Sequence, residues 1–215
     1  MGAKLIAMNI ETIQRLLTPF AKLDEQRLRH TSIYIDILLK WNARINLTAV
    51  RDPEEMVTRH FGESFFVAEI LRSHGIPRTA IDLGSGAGFP GIPLAISLPK
   101  TRVTLIESNQ KKSTFLREVI SALGLKNAVV FAGRGEDYAS QASLVTMRAV
   151  ERFEKALPTA LALAEPGGRV ALMIGNAQVA MAKTIGGGVE WAGPVGVPGG
   201  HSRSLLVGTK DLKVD

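Results

Sequence analysis

The chain has 215 residues, 46% of them hydrophobic, and a formal net charge of +6. That apolar content supports a sizeable core and excludes global disorder. The absence of cysteine excludes disulfides, thiol nucleophiles and thiolate metal sites and suits a reducing compartment, and no apolar run approaches the roughly 20 residues of a membrane-spanning helix.

At the start of the chain Ile10, Ile13 and Leu17 alternate with polar residues at helical spacing, so no secretory signal is expected there. The pattern predicts a first helix from about Asn9 to Thr18, stopped by Pro19. A second begins at Asp24, an N-cap candidate, and carries a buried stripe of Leu28, Ile35, Leu38 and Leu39 with Tyr34 and Trp41 beside it. Residues 42–52 read as a loop. Asp52-Pro53 then opens a short helix whose Glu54 and Glu55 favour its positive end. A further helix covers about Glu63–Ser73, and Gly75-Ile76-Pro77 reads as a linker. Residues 1–77 therefore form an N-terminal helical extension and residues 78–215 the main domain.

From residue 79 strand and helix patterns alternate. Strands are expected near 79–83, 102–106, 128–131, 143–147, 169–174 and 204–208, and helices near 90–98, 110–124, 151–164 and 176–185. The glycine-rich stretch 186–200 is a loop region with at most one weak strand. The fold class is α/β: a doubly wound, Rossmann-like sheet, mostly parallel with an antiparallel last strand, whose ligand site lies at the carboxyl ends of the strands.

Residues 80–95 are the most informative stretch. An apolar strand ends at Asp82-Leu83, Gly84, Gly86 and Gly88 follow in alternation, and a helix begins. Such a turn brings backbone amides close to a ligand where side chains would block the approach. Gly-x-Gly-x-Gly after an acid-ended strand is the mark of S-adenosylmethionine (SAM) enzymes, and Gly84, Ser85, Gly86 and Gly88 become candidate cofactor residues. Gly86, Gly88 and Gly91 also satisfy the dinucleotide spacing Gly-x-Gly-x-x-Gly, but Pro90 would then remove an amide donor from the phosphate-facing turn.

Further along, Glu107 ends the second strand, about 20 residues after the glycine turn, where an acid accepts ribose hydroxyls. Glu136, in Arg134-Gly135-Glu136-Asp137 after the third strand, lies where an adenine edge would sit, with a solvated loop acid as the alternative. Arg148 follows the fourth strand; it is expected to project into the crevice and pair with the methionine carboxylate, Glu136 or RNA phosphate, and a structural ion pair is its other reading. Lys111 and Lys112 open a helix against the dipole preference, which hints at an external anion. His60 and Glu63 lack a second ligand pair, so no metal is expected.

Together these residues resemble the bacterial small-subunit rRNA methyltransferase G family, also called glucose-inhibited division protein B. Three blocks carry the resemblance: Trp41-Asn42-x-Arg44-x-Asn46-Leu47-Thr48-x-Val50-Arg51-Asp52-Pro53 with Arg59-His60-Phe61; Asp82 to Pro93; and Arg148-Ala149-Val150. The resemblance implies methyl transfer from SAM to N7 of a guanine in the decoding-region loop of 16S rRNA, by a cytoplasmic monomer. It carries cofactor positions over to Gly84, Phe89, Gly135, Glu136 and Arg148. Arg44, Arg51, Arg59, His60, Lys111 and Lys112 are candidates for contact with the phosphates of 16S rRNA or the small ribosomal subunit. Guanine N7 has a free lone pair, so no general base is expected. The chain departs from the family pattern at Gly62-Glu63, where Leu-Asp is common, and at Ile174, where a lysine is usual. Three other readings remain open: a SAM methyltransferase of small molecules or proteins, an NAD(P)-dependent oxidoreductase, and a non-catalytic RNA-binding module.

Overall fold

Period-two alternation along the central strands assigns their side chains to opposite faces of one sheet. The computed structural model describes residues 8–150, 152–200 and 202–212. Strands β1 (Thr79–Leu83), β2 (Arg102–Ile106), β3 (Ala128–Phe131), β4 (Ala142–Arg148) and β5 (Ala164–Gly175) run parallel, and β8 (Arg203–Lys210) pairs antiparallel with β5. Two short strands, β6 (Val189–Trp191) and β7 (Val195–Gly196), also pair antiparallel with β8. The order is β3-β2-β1-β4-β5-β8-β6. In β5, Ala171 and Met173 join one core while Val170, Leu172 and Ile174 join the other.

Helices cover both faces. Helices α7 (Phe153–Leu163) and α8 (Gln178–Ile185) back the core that contains Ile81, Val145 and Leu206. The opposite face carries α5 (Gly91–Ser97) and α6 (Gln110–Ala122), and over them the amino-terminal helices α1 (Ile10–Leu17), α2 (Glu25–Asn42), α3 (Pro53–Met56) and α4 (Glu63–Ser73). Ile35, Leu38 and Phe65 from those helices, with Phe61 from the segment between α3 and α4, share one core with Ala80, Leu105 and Phe115. Caps explain the starts: Asn9, Asp24, Asp52 and Asn109 side chains each accept a first-turn backbone N–H.

Three details differ from expectation. Residues Val57–Gly62 form a π-helical segment between α3 and α4. Strand β5 starts five residues early, because Ala164 pairs Ala142 before an irregular register at Gly167-Gly168. The 186–200 region holds two strands instead of one. Residues 1–7, at the start of the expected extension, and Glu151, at the start of the expected helix over 151–164, lie outside the described residues.

Candidate active site

The carboxyl ends of β1, β2 and β4 open into a crevice of about 860 Å3, within the roughly 300–1,000 Å3 usual for small-molecule sites. One wall is Gly84, Ser85, Gly86 and Ala87 with Glu107 and Asn109; the other is Thr48, Arg51, Asp52 and His60. A second lobe of about 420 Å3 extends past Gly84 and Glu107 to Gly135, Glu136 and Thr159.

The glycine turn has an internal logic. Gly84 and Gly86 adopt φ of +69° and +57°, and a Cβ on Gly86 would meet nothing closer than the Gly84 carbonyl at 3.8 Å, so that face of the turn is open. The Ser85 hydroxyl donates to the Asp82 carbonyl at 2.8 Å, which tightens the turn. Glu107 is buried, accepting from Gly86 N–H at 2.9 Å and Asn109 N–H at 2.7 Å. Two amide bonds leave lone pairs on that carboxylate for hydroxyl donors.

Asp82 lies beneath the turn. Its oxygens accept from Thr146 Oγ1 at 2.8 Å and Gly91 N–H at 3.2 Å. Burial lifts its pKa to about 6, against the lowering effect of its hydrogen bonds. The first turn of α5 offers no free amide: Gly91 donates to Asp82, Ile92 donates to the Gly88 carbonyl at 2.8 Å, and Pro93 has none. A pyrophosphate has no donors there, which removes the dinucleotide reading.

Gly88 serves a different purpose from the one expected. It does not line the crevice; a Cβ on it would collide with the Tyr34 hydroxyl and Ile92. Tyr34, fully buried in α2, donates its hydroxyl to the Ala87 carbonyl. Phe89 is likewise buried, its ring stacked between Tyr34 (centroids 5.3 Å) and His60 (5.1 Å). Gly88 and Phe89 thus fasten the turn to the amino-terminal helices.

Arg148 lines the crevice, and its partners in the structure are protein groups. Its side chain is 11% exposed, and its guanidinium donates to the Arg59 carbonyl at 2.7 Å and pairs with Glu63 at 3.2 Å, contacts of a structural ion pair. Glu63 is buried at 2% exposure and also accepts from Arg203 Nε at 2.9 Å. Glu136 instead faces Thr159, accepting at 3.0 Å. Its own backbone N–H and then Thr159 hold its pKa below the usual carboxylate range.

His60 is not the cation expected of a phosphate contact. Burial, then Arg148, Arg59 and Arg203, depress its pKa to about 3, so the ring is neutral at physiological pH. Among the other basic candidates, Arg44 and Lys111 are exposed, Arg51 and Lys112 line the crevice, and Arg59 lines it while paired with Glu55 at 3.2 Å. The Lys111 and Lys112 amides are already capped by Asn109 Oδ1, at 3.0 and 3.1 Å, so no external anion is required there.

Sequence reasoning assigned no role to Asn42, Thr48, Tyr34 or Arg203. Asn42 Oδ1 accepts from both Leu47 and Thr48 N–H at 3.0 Å and so shapes the loop that covers the crevice. The Asn-to-Thr spacing inside the first block carried that signal.

A sheet of this order, with an open glycine turn after β1 and an acid at the end of β2, defines the Rossmann-like SAM-dependent methyltransferases. Solved structures share the fold: a SAM-dependent methyltransferase from Aquifex aeolicus superposes with a TM-score of 0.57 at 18% identity, covering 82% of this chain and 98% of that one. Within that class, the family model for rRNA small subunit methyltransferase G matches residues 27–184, and the chain belongs to that family. The ribosomal RNA small subunit methyltransferase G of Roseiflexus castenholzii is 36% identical, with 92% of this chain and 90% of the relative covered. Its counterpart in Xanthomonas campestris pv. campestris is 40% identical over 83% and 84%. The chain is accordingly a SAM-dependent methyltransferase of small-subunit rRNA. Among the described residues no helix is long and apolar enough to cross a membrane, and no three His, Asp or Glu residues cluster as a metal site.

Proposed function

We propose that this protein transfers the methyl group of SAM to N7 of a guanine in the decoding-region loop of 16S rRNA. The observation that carries the reading is a single crevice bounded by both the glycine turn and the block of residues 47–52. Bound SAM supplies an electrophilic methyl on a sulfonium. Gly84 and Gly86 would admit it to the backbone, with Ser85 bracing the turn; Glu107 would accept from its ribose hydroxyls, and Gly135 and Glu136 would hold its adenine. Gly88, Phe89 and Arg148 hold the walls in place.

N7 attacks through its own lone pair, so the residues need to orient and desolvate, and no base is assigned. The product guanine is cationic, and Asp52, Glu55 and Glu107 offset part of the positive charge that Arg51, Arg59, Lys112 and Arg148 place along the crevice. Arg44 and Lys111 on the exposed surface and Arg51, Arg59 and Lys112 along the crevice are available to phosphates of the loop, and the net charge of +6 supports that use. Such loops present unstacked bases that A-form duplex hides. The enzyme acts as a cytoplasmic monomer on rRNA or the small subunit.

The test is transfer from radiolabelled SAM to small subunits lacking the modification. Label recovered as N7-methylguanine from the decoding-region loop is the expected result. Label on another base, or none in RNA with SAM binding intact, would overturn the assignment.

A further inference from the structure

Thr48 sits where the loop after α2 passes over the crevice, and three hydrogen bonds fix it. Its backbone N–H donates to Asn42 Oδ1 at 3.0 Å, its Oγ1 lies 2.6 Å from His60 Nε2, and Oγ1 accepts from Val50 N–H at 3.1 Å. The direction of the Thr48–His60 bond follows from the other ring nitrogen. His60 Nδ1 lies 3.2 Å from the Arg148 guanidinium, which can only donate. Nδ1 is therefore the acceptor and Nε2 carries the hydrogen of the neutral ring; the tautomer is assigned from this network.

Nε2–H and Val50 N–H together fill both lone pairs of the Thr48 oxygen. Its own proton has no acceptor among the described residues, while the residue lines the crevice. We propose that the Thr48 hydroxyl is a ligand-facing donor aimed at an acceptor oxygen of whatever occupies this crevice. The inference rests on the methyltransferase reading, which supplies two such oxygens: the carboxylate of the methionine part of SAM, and guanine O6, adjacent to N7 on the same edge. A hydroxyl whose lone pairs are occupied cannot accept. It therefore rejects a donor in that position, as the adenine amino group would be. The bonds Arg148 to His60 to Thr48 all point one way, which strengthens the last donor in the series. Arg148 then acts as a positioning residue through His60, although its guanidinium faces Glu63.

The experiment uses the full chain with Thr48→Val and Thr48→Ser. Calorimetry gives Kd for SAM and for decarboxylated SAM, and turnover is read on unmodified small subunits. Thr48→Ser should match the wild type. If the oxygen is the carboxylate, Thr48→Val weakens SAM about tenfold but leaves decarboxylated SAM as in the wild type. If it is guanine O6, SAM affinity is kept while kcat/KM on subunits falls about tenfold or more. Three results overturn the proposal: Thr48→Val equal to wild type in both assays, equal loss of both cofactor forms, or no rescue by serine. A wild-type chain that binds SAM without labelling rRNA would fail the rRNA reading alone, because the analogue comparison still decides the role of Thr48.

Discussion

Gly86 meets two demands: a left-handed backbone and an empty face toward the crevice. Gly86→Val should cost about 1–3 kcal/mol of backbone strain, which a folded protein survives, and should abolish SAM binding. Thermal melting beside calorimetry checks this, and a variant that binds SAM normally would refute the cradle. Two buried titratable groups make a second prediction. Asp82, raised from 3.8 to about 6, contributes stability that is present below pH 3.8 and lost as pH rises through 6. His60, lowered from 6.5 to about 3, contributes stability that is present above pH 6.5 and lost as pH falls toward 3. Between pH 4 and 6 the two slopes oppose each other, each up to about 1.4 kcal/mol per pH unit. Asp82→Asn removes one of them. Its stability should fall more steeply than that of the wild type on acidification from pH 6.5 to 4, as read from urea midpoints; parallel curves would contradict this assignment. Asp82 and the alternating glycines were legible in the sequence because they are close neighbours in the chain. The His60–Arg148 contact was not, since it joins residues 88 apart.

The π-helical segment Val57–Gly62 was invisible to a 3.6-residue periodicity, yet it sets much of the site wall. Arg148 is held by its Arg59 and His60 carbonyls, at 2.7 and 3.4 Å, and such segments recur at functional sites. The family departures at Gly62 and Glu63 fall at its end. A Cβ on Gly62 would lie 2.7 Å from the Phe20 ring, so glycine here lets the segment before α2 pack close. Gly62→Leu, which restores the common family residue, should cost about 1–3 kcal/mol through overpacking; an unchanged denaturation midpoint would mean that Phe20 swings aside freely. Glu63, one carbon longer than aspartate, bridges Arg148 and Arg203. Strands β1 and β2, by contrast, were bounded to the residue, because each is a short apolar run between turn signals. The two short strands at 189–196 were harder to read. Their glycine-rich surroundings carry little β signal, and β8 supplies the pairing.

At the scale of the molecule, the amino-terminal helices share a core with the sheet. Tyr34 and Phe61 bury their rings against Phe89 of the glycine turn, at 5.3 and 4.9 Å. A fragment of residues 78–215 should therefore fail to fold as a stable monomer, because the residues around Leu105 and Phe115 would be uncovered. Circular dichroism and gel filtration check this; a soluble, cooperatively melting fragment would show that the extension is dispensable. The alternation of strand and helix patterns announced the sheet and its order of elements, but the sharing of one core depends on distant contacts that local pattern does not carry. Among the side-chain hydrogen bonds of the described residues one reaches furthest: Glu63 meets Arg203 across 140 residues of chain. During synthesis, β5 emerges with its edge open and Glu63 with only one of its two arginines, until β8 is made and docks. A nascent chain stopped before residue 203 thus lacks one of the two partners that hold the buried Glu63 carboxylate behind Arg148.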